Sequence, residues 1–382
     1  MYRIFLFGAS SGISNYGVGN YTDLIFKILN AESLITIIYI DFKLTTGKEN
    51  VEIKEYKNGD SRVYFKLNYN NLYKNFDPHR VISAVNQLYE MKANDFFHFN
   101  CPEHLPIIEI LNKSISPCLL YTVHFDLKQL KKISYFNYSA ELKAIELCNS
   151  IICLNEEAKS TIEEINPIYA KKTIRINTPI PKLPRASLVE RKNLRLQFGI
   201  SERDTIILYN GRIDKNKGIY DFFRIFPSVL RNNPNTILLI VGDGNLNNAL
   251  YCCRKFIGNV RFTGYISRED RAFKYRLFQI ADLAILPSYS EQLSMTFLEM
   301  ANLEIPILVN NIAAFRIYSH INAIDIKKGK MDNKAFVSKV IHIITHREEY
   351  VRKSKLLKKE LSETNNIRGF KKKLLTICKK IE

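Results

Sequence analysis

The sequence has 382 residues, of which 46% are hydrophobic and 25% are charged. This length exceeds one ordinary hydrophobic core and suits two α/β domains of a globular protein. No apolar stretch reaches the ~20 residues that cross a bilayer, and the short run Tyr2–Phe7 lacks the leader and the length of a signal peptide. We therefore expect a cytoplasmic protein whose seven scattered cysteines are reduced.

The net charge of +18 would suit a nucleic-acid-binding protein, but its distribution along the chain favours another interpretation. Residues 1–180 carry 20 Lys and Arg against 19 Asp and Glu, whereas residues 181–382 carry 36 against 19. Much of the excess recurs at helical spacing between Arg352 and Lys380, which favours a solvated helix face over contact with an anionic membrane. We expect no nucleic-acid partner, and peripheral contact with the inner face of the membrane stays open as an alternative.

Short runs rich in β-branched residues alternate with longer helical patterns, which is typical of parallel α/β sheets. In the first half, the predicted strands are Tyr2–Phe7, Ile35–Ile40, Asp95–Phe99, Cys118–Val123 and Ser150–Leu154. Helices are predicted there over Asn20–Leu29 and Ala140–Cys148.

Three prolines between Asn177 and Pro184 predict a stiff hinge. The strands predicted after it are Asp204–Tyr209, Thr236–Val241, Val260–Phe262, Asp282–Leu286 and Ile305–Val309, with helices over Tyr220–Arg231 and Phe297–Asn302. The last ~25 residues predict one basic amphipathic helix. The sequence thus predicts an N-terminal Rossmann-like domain over residues 1–180, joined by the C-terminal helix at about 360–382, and a C-terminal one over 185–360.

The segment from Pro287 to Met300 follows a predicted buried strand and begins a helix near Ser294. The backbone N–H groups of Ser294, Met295 and Thr296, with the positive end of the helix dipole, would make a phosphate site. Glu299 is the only charge between residues 292 and 303, and a buried carboxylate needs a partner. This segment alone leaves three alternatives for Glu299: it binds a ribose diol, it pairs with an internal arginine, or it lies at an exposed position.

The segment from Tyr209 to Gly218 also follows a strand and precedes a helix. Arg212 and Lys217 are placed to converge on one diphosphate, although either residue alone would be read as a surface charge. Two fixed cations can neutralise a leaving group as a divalent metal does. Because the sequence has no Asp-x-Asp pair and no clustered metal ligands, we expect chemistry without a metal or other cofactor.

In order along the chain, four motifs resemble glycosyltransferase family 4, the "group 1" retaining family with the GT-B architecture. They are Gly211-Arg212 followed by Lys217-Gly218, then Val241–Gly244, then Phe262–Tyr265, and finally Glu291 and Glu299 with seven residues between them. The match is strongest from Thr205 to Val309. This resemblance implies an α/β GT-B fold in which two Rossmann-like domains face each other across a cleft.

The resemblance also implies roles for individual residues of the second half. Arg212 and Lys217 would bind the donor diphosphate, Glu299 the donor ribose, and Glu291 the transferred sugar. Backbone contacts to sugar or phosphate would come from Ser294, Met295 and Thr296, the nucleobase would lie against Tyr265, and Gly242 would let its loop approach the donor.

The first half resembles the family more loosely. Gly17 is the predicted closest contact of a glycine-rich loop with the diphosphate. His124, at a predicted strand end, is the candidate for the reacting centre, with a structural histidine as the alternative. Many relatives have Gly-Phe-Gly where this chain has Gln292-Leu293-Ser294, which leaves the donor sugar open.

The sequence as a whole predicts a metal-independent, retaining hexosyltransferase that uses a nucleotide-diphosphate sugar. The acceptor would be a hydroxyl of a glycan, a lipid-linked or another molecule, in bacterial surface polysaccharide or glycoconjugate synthesis. The alternatives are an inverting enzyme or a sugar-nucleotide epimerase on the same architecture, and a non-catalytic subunit that binds a sugar nucleotide. A subunit of that kind would usually lack one of Arg212, Lys217, Glu291 or Glu299.

Overall fold

The computed structural model describes residues 2–8, 17–30, 32–45, 48–67, 77–114, 118–180, 182–267, 269–327 and 329–381. Its contacts divide the chain into two compact units, which we call unit 1 (Met1–Pro179 with Asn365–Glu382) and unit 2 (Ile180–Thr364). Pro181, one of the three prolines in the predicted hinge, lies outside the described residues.

Unit 1 is an α/β unit built on one eight-stranded sheet. Its strands are β1 (Tyr2–Phe7), β2 (Ile35–Leu44), β3 (Asn50–Glu55), β4 (Ser61–Leu67), β5 (Phe96–Phe99), β6 (Cys118–Val123), β7 (Ser150–Cys153) and β8 (Thr173–Arg175). Its helices are α1 (Gly17–Leu29), α2 (Pro78–Tyr89), α3 (Leu105–Ser114), α4 (Leu127–Ile133), α5 (Tyr135–Leu147) and α6 (Glu156–Ile165). The sheet order is β3-β4-β2-β1-β5-β6-β7-β8, and among the strand pairs of the described residues only β3–β4 is antiparallel.

The centre of this sheet is buried on both faces, as expected for a parallel sheet covered by helices. Phe5 pairs in register with Phe97 on the neighbouring strand, and their rings stack with centroids 4.8 Å apart. Phe7 and Phe99 stack one rung further along, at 4.6 Å. These cross-strand aromatic pairs fix the register of β1 against β5.

In the described part of unit 2, the strands form one six-stranded sheet and a small two-stranded one. The six strands are β9 (Thr205–Asn210), β10 (Thr236–Val241), β11 (Val260–Gly264), β12 (Leu283–Leu286), β13 (Ile307–Asn310) and β14 (Asn322–Ile324); β15 (Ile326–Lys327) pairs with β16 (Lys330–Met331). The helices are α7 (Leu188–Gln197), α8 (Ile219–Asn232), α9 (Leu246–Cys253), α10 (Arg271–Phe278), α11 (Met295–Asn302), α12 (Ala313–Arg316), α13 (Asn333–Thr345) and α14 (Arg347–Thr364). The large sheet is parallel throughout, in the order β11-β10-β9-β12-β13-β14.

The C-terminal segment is two helices and not the single helix that the sequence predicted. α14 ends at Thr364 in unit 2, and α15 (Ile367–Ile381) begins after Asn366 and belongs to unit 1. Asn365 donates from its buried side chain to the Thr178 carbonyl at 2.8 Å, and the Asn366 side chain accepts from the N–H of Gly369 at 2.6 Å. Asparagine side chains compete in this way with helical hydrogen bonds, so the pair ends one helix and begins the next.

The apolar face of α15 is buried in unit 1 through Phe370, Leu374, Ile377 and Cys378, and Lys371 pairs with Glu32. Two α/β units with predominantly parallel sheets thus confirm the predicted fold class. Across the described residues, every helix is too short or too polar to span a bilayer.

Candidate functional site

Unit 2 gathers most of the predicted site residues at the edge of its sheet where the parallel strands end. The strand order reverses between β9 and β12, because the chain first extends the sheet on one side of β9 and then on the other. In sheets of this kind, ligands bind outside the carboxyl ends of the strands at the point of reversal. The loops after β9 and β12 carry Arg212, Lys217 and Glu291 and lie at this point.

Two glycines allow the loops at this edge to pack backbone against backbone. Gly242 has a φ of +135°, and a Cβ on it would lie 2.1 Å from the carbonyl oxygen of Gly211. Gly218 has a φ of +69°, and a Cβ on it would lie 2.0 Å from the carbonyl oxygen of Pro287. Only glycine combines such angles with such close approach, so both residues are needed to bring these loops together.

An ion pair joins two of the predicted site residues. Lys217 donates from Nζ to Oε1 of Glu291 at 2.6 Å, and both side chains are largely buried. An ammonium group has three N–H donors and a carboxylate has about four acceptor positions. The contact therefore leaves both groups able to bind a ligand, and it links the residue predicted to meet phosphate with the one predicted to meet the sugar.

Arg212 lies on the same loop with its side chain 51% exposed, and its Nε is 3.4 Å from Oδ2 of Asp214. Its carbonyl oxygen accepts from the Tyr209 hydroxyl at 2.5 Å, which fixes the backbone at this position. Arg212 and Lys217 thus lie on one loop, one exposed and one largely buried.

The helix predicted near Ser294 begins there. Ser294 is the N-cap of α11, and its side chain accepts from the N–H of Phe297 at 3.2 Å. Thr296 accepts through its hydroxyl from Nδ2 of Asn210 at 2.8 Å, which ties the first turn of α11 to the end of β9. The N–H groups of Met295 and Thr296 belong to the first turn, where a helix supplies no acceptor of its own.

Glu299 is buried inside α11, with 2% of its surface exposed. Lys274 on α10 approaches its two carboxylate oxygens at 3.2 and 3.4 Å, and the Tyr275 hydroxyl donates to Oε1 at 2.9 Å. Among the alternatives that the sequence left open, the structure therefore supplies an internal cation, which is a lysine and not an arginine. A ribose would have to share the carboxylate with these two partners.

The predicted nucleobase segment lies on the other side of β9. Gly264 ends β11 with a φ of +70°, and its carbonyl oxygen accepts from the N–H of Gly242 at 2.9 Å. Tyr265 follows directly and is exposed. Gly242 and Tyr265 are thus held at the same edge of the sheet by the β10 and β11 ends.

In unit 1, His124 follows β6 and is half-buried. Asn100 donates from Nδ2 to the Phe7 carbonyl at 3.1 Å, which turns its Oδ1 towards Nε2 of His124 at 3.2 Å. Because Oδ1 can only accept, Nε2 carries the proton and Nδ1 is left as an acceptor. Loss of hydration, with a smaller effect of nearby His98, lowers the pKa of His124 to about 3.

Gly17 is exposed at the start of α1, and residues 9–16 of the loop before it lie outside the described part of the chain. Sequence reasoning missed Lys274, Tyr275 and Asn210 as members of the site. Each reaches the site through tertiary packing, although the position of Asn210 at a predicted strand end could have pointed to it. The described residues contain no group of three or more His, Cys, Asp or Glu side chains arranged to hold a metal ion.

Residues 190–359, somewhat less than half of the chain, match the sequence model of the family described as glycosyl transferases group 1. Glycogen synthase of Mycobacterium tuberculosis is 31% identical over 106 residues, which is 28% of this chain and 26% of that protein. Alpha-galactosylglucosyldiacylglycerol synthase of Streptococcus pneumoniae is 29% identical over 142 residues, 35% of each chain. The chain thus spans about a quarter to a third of the length of these relatives.

The fold can be compared over the whole chain. Sucrose-phosphate synthase from Thermosynechococcus elongatus superposes with a TM-score of 0.76 over 100% of this chain and 99% of its own, at 14% sequence identity. At this identity the similarity concerns the fold alone. It confirms the predicted GT-B fold with two Rossmann-like domains.

Proposed function

We propose that this chain is a retaining glycosyltransferase that moves a hexose from a nucleotide-diphosphate sugar to a hydroxyl group of its acceptor. The observation that carries the proposal is the position of Arg212, Lys217, Glu291 and the start of α11 at the reversal point of one sheet. The family match over residues 190–359, which includes all four, supports the same activity.

The donor would bind with its diphosphate on Arg212, Lys217 and the first turn of α11. Lys217 would keep its contact with Glu291 and use its remaining N–H donors on phosphate oxygens. Glu291 would accept from hydroxyl groups of the sugar, and Glu299 would share its carboxylate between Lys274 and the ribose. Two cations and a helix dipole would offset the charge that the leaving diphosphate gains, so the reaction would need no metal.

In the proposed reaction, the bond between the anomeric carbon and the phosphate oxygen breaks as the acceptor oxygen bonds to that carbon from the same face. The proton of the acceptor hydroxyl passes to the departing phosphate oxygen, and the transition state resembles an oxocarbenium ion. His124, neutral at physiological pH, would accept a hydrogen bond through Nδ1 and would not act as a general acid. Gly17 stays a predicted contact of the diphosphate.

For the acceptor, we propose a glycan or a lipid-linked molecule, as in surface polysaccharide or glycoconjugate synthesis. The named relatives that support this range include a glycogen synthase and a diacylglycerol glycosyltransferase. A panel of sugar nucleotides screened by thermal shift would identify the base and the sugar together, because a ligand that binds only the folded state raises its stability.

The test is the turnover of Arg212→Ala and Lys217→Ala with the donor so identified, with chelator present. Each should lower kcat/KM at least about a hundredfold, as loss of a charge-stabilising group at a developing oxyanion does. Lys215→Ala is the matched control, since Lys215 is an exposed lysine of the same loop and should keep most activity. Near-normal transfer by both variants would refute the diphosphate assignment.

Product identification separates the remaining alternatives. Nuclear magnetic resonance of the new linkage distinguishes retention from inversion. Conversion of the donor without an acceptor would indicate an epimerase, and donor binding without any turnover would indicate a non-catalytic subunit.

A further inference from the structure

The junction between α4 and α5 in unit 1 exposes three large apolar side chains next to one another. Ile133, Tyr135 and Phe136 are 66%, 69% and 62% exposed. Ser134 both ends α4 and caps the start of α5, and its backbone is extended, so the helical path is interrupted between the exposed side chains. We call residues 127–138 the apolar corner.

The apolar corner is also cationic. Lys128, Lys131 and Lys132 are exposed, and no acidic residue occurs between positions 127 and 140. The Lys131 ammonium lies 5.6 Å from the centre of the Tyr138 ring, and Lys128 contacts Glu164 on α6 at 3.0 Å. Aromatic and aliphatic side chains bordered by lysines are the composition that binds the headgroup layer of an anionic bilayer.

The corner lies at a defined edge of unit 1. α5 runs 13 residues, or about 20 Å, back to the start of β7, as a crossover between the parallel strands β6 and β7 requires. Its first turn therefore lies towards the carboxyl ends of the strands. His124, which follows β6, precedes the first residue of α4 by three positions.

A surface that binds an anionic bilayer needs both exposed apolar side chains and positive charge. Two other surfaces of the described residues meet only one of these two conditions. The outer face of α15 carries lysines, but its apolar face is buried in unit 1 and cannot enter a membrane. On α7, Leu188 and Val189 are exposed but adjoin Glu190, which an anionic surface repels. The apolar corner combines three exposed apolar side chains with two exposed lysines, Lys131 and Lys132, and a third lysine that contacts Glu164.

We propose that the apolar corner binds the surface of an anionic lipid bilayer, with Tyr135, Phe136 and Ile133 entering the headgroup layer and the lysines facing lipid phosphates. This goes beyond the transfer reaction. One consequence rests on the proposed function: the protein would bind a lipid-linked acceptor at this edge of unit 1.

The experiment is sedimentation of the full chain with vesicles at low ionic strength. One set contains phosphatidylglycerol and phosphatidylcholine in equal parts, and the other contains phosphatidylcholine alone. The wild type should bind the first set and not the second. Tyr135→Ser/Phe136→Ser should lower the partition coefficient about tenfold or more, and Lys131→Gln/Lys132→Gln about fivefold per lysine.

Matched control variants remove two apolar side chains or two lysines from surfaces outside the apolar corner. Leu188→Ser/Val189→Ser and Lys372→Gln/Lys379→Gln should bind as the wild type does, and so should Arg212→Ala, whatever its effect on transfer. Absence of wild-type binding to anionic vesicles would overturn the proposal and turn attention to a protein partner. Wild-type binding by the corner variants, or equal losses in the controls, would overturn it as well.

Discussion

The buried contact between Glu299 and Lys274 allows the loss of stability on substitution of Glu299 to be predicted from its geometry. Glu299→Gln keeps the shape of the side chain and an acceptor for the Tyr275 hydroxyl, but it leaves the Lys274 ammonium without its counter-charge. Lys274 is only 8% exposed, so water cannot replace the carboxylate. Removing one member of a buried ion pair costs about 3–5 kcal/mol.

The lower end of this range is expected here. The Lys274 ammonium also lies 4.7 Å from the centre of the Tyr275 ring and 5.5 Å from that of Phe278. These cation–π contacts persist in the variant and retain about 0.5–2 kcal/mol. We therefore expect Glu299→Gln to lower the free energy of unfolding of unit 2 by about 3 kcal/mol.

The assay is equilibrium urea unfolding followed by circular dichroism, in a double-mutant cycle with Lys274→Met. The double variant buries no unpaired charge and should recover most of the loss. Lys192→Met is the control, because Lys192 and Glu202 form a pair of the same type on the exposed surface of unit 2, 2.8 Å apart, and its urea midpoint should stay unchanged. A coupling energy near zero would refute the view that Lys274 holds Glu299.

The same cycle addresses the proposed ribose contact. Lys274→Met leaves the Glu299 carboxylate in place and so should retain donor affinity better than Glu299→Gln does. If both variants lost affinity only in proportion to their loss of stability, Glu299 would be a structural residue.

Two further predictions concern the backbone and the pH dependence. Gly242→Ala should destabilise unit 2 by at least about 2 kcal/mol in urea unfolding, because a Cβ would lie 2.1 Å from the Gly211 carbonyl oxygen at a φ of +135°. Gly258→Ala, whose Cβ would have no neighbour within 4 Å, should be neutral. In unit 1, burial, partly opposed by a hydrogen bond from Tyr121, raises the pKa of Glu141 from 4.5 to about 8. Folded protein then holds a proton that unfolded protein releases, so stability should fall as the pH rises from about 4.5 to 8. Glu141→Gln should flatten that fall in unfolding midpoints measured across the window, and an unchanged slope would contradict the assignment.

The regular elements of both sheets could be predicted because the signal for them is local. The predicted strands Cys118–Val123 and Thr236–Val241 occur with the same bounds, since each is a short apolar run between turn residues. β3, Asn50–Glu55, was missed because it is an exposed edge strand in which Glu and Lys alternate with Val and Ile, and no buried face marks it.

The composition of the site could be predicted only in part. Parallel strands bring their carboxyl ends together, so the loops after β9 and β12 were expected to meet. Which charges pair at that edge depends on packing between distant segments. Lys217 and Glu291 are 74 residues apart, and Lys274 and Glu299 are 25 apart. No periodicity in the sequence encodes either contact.

The net charges of the two structural units differ from those of the two halves of the sequence. Because α15 returns to unit 1, that unit carries 26 Lys and Arg against 20 Asp and Glu, and unit 2 carries 30 against 18. At the candidate site, the cations Lys217 and Lys274 each contact a carboxylate. Under the proposed function, a diphosphate would enter a nearly balanced site within a positively charged unit. The overall field of that unit would attract it, and the start of α11 would hold it in position. If so, added salt should lower the rate constant of donor binding more than it lowers turnover at saturating donor. Stopped-flow binding and steady-state turnover, each measured at several ionic strengths, separate the two effects.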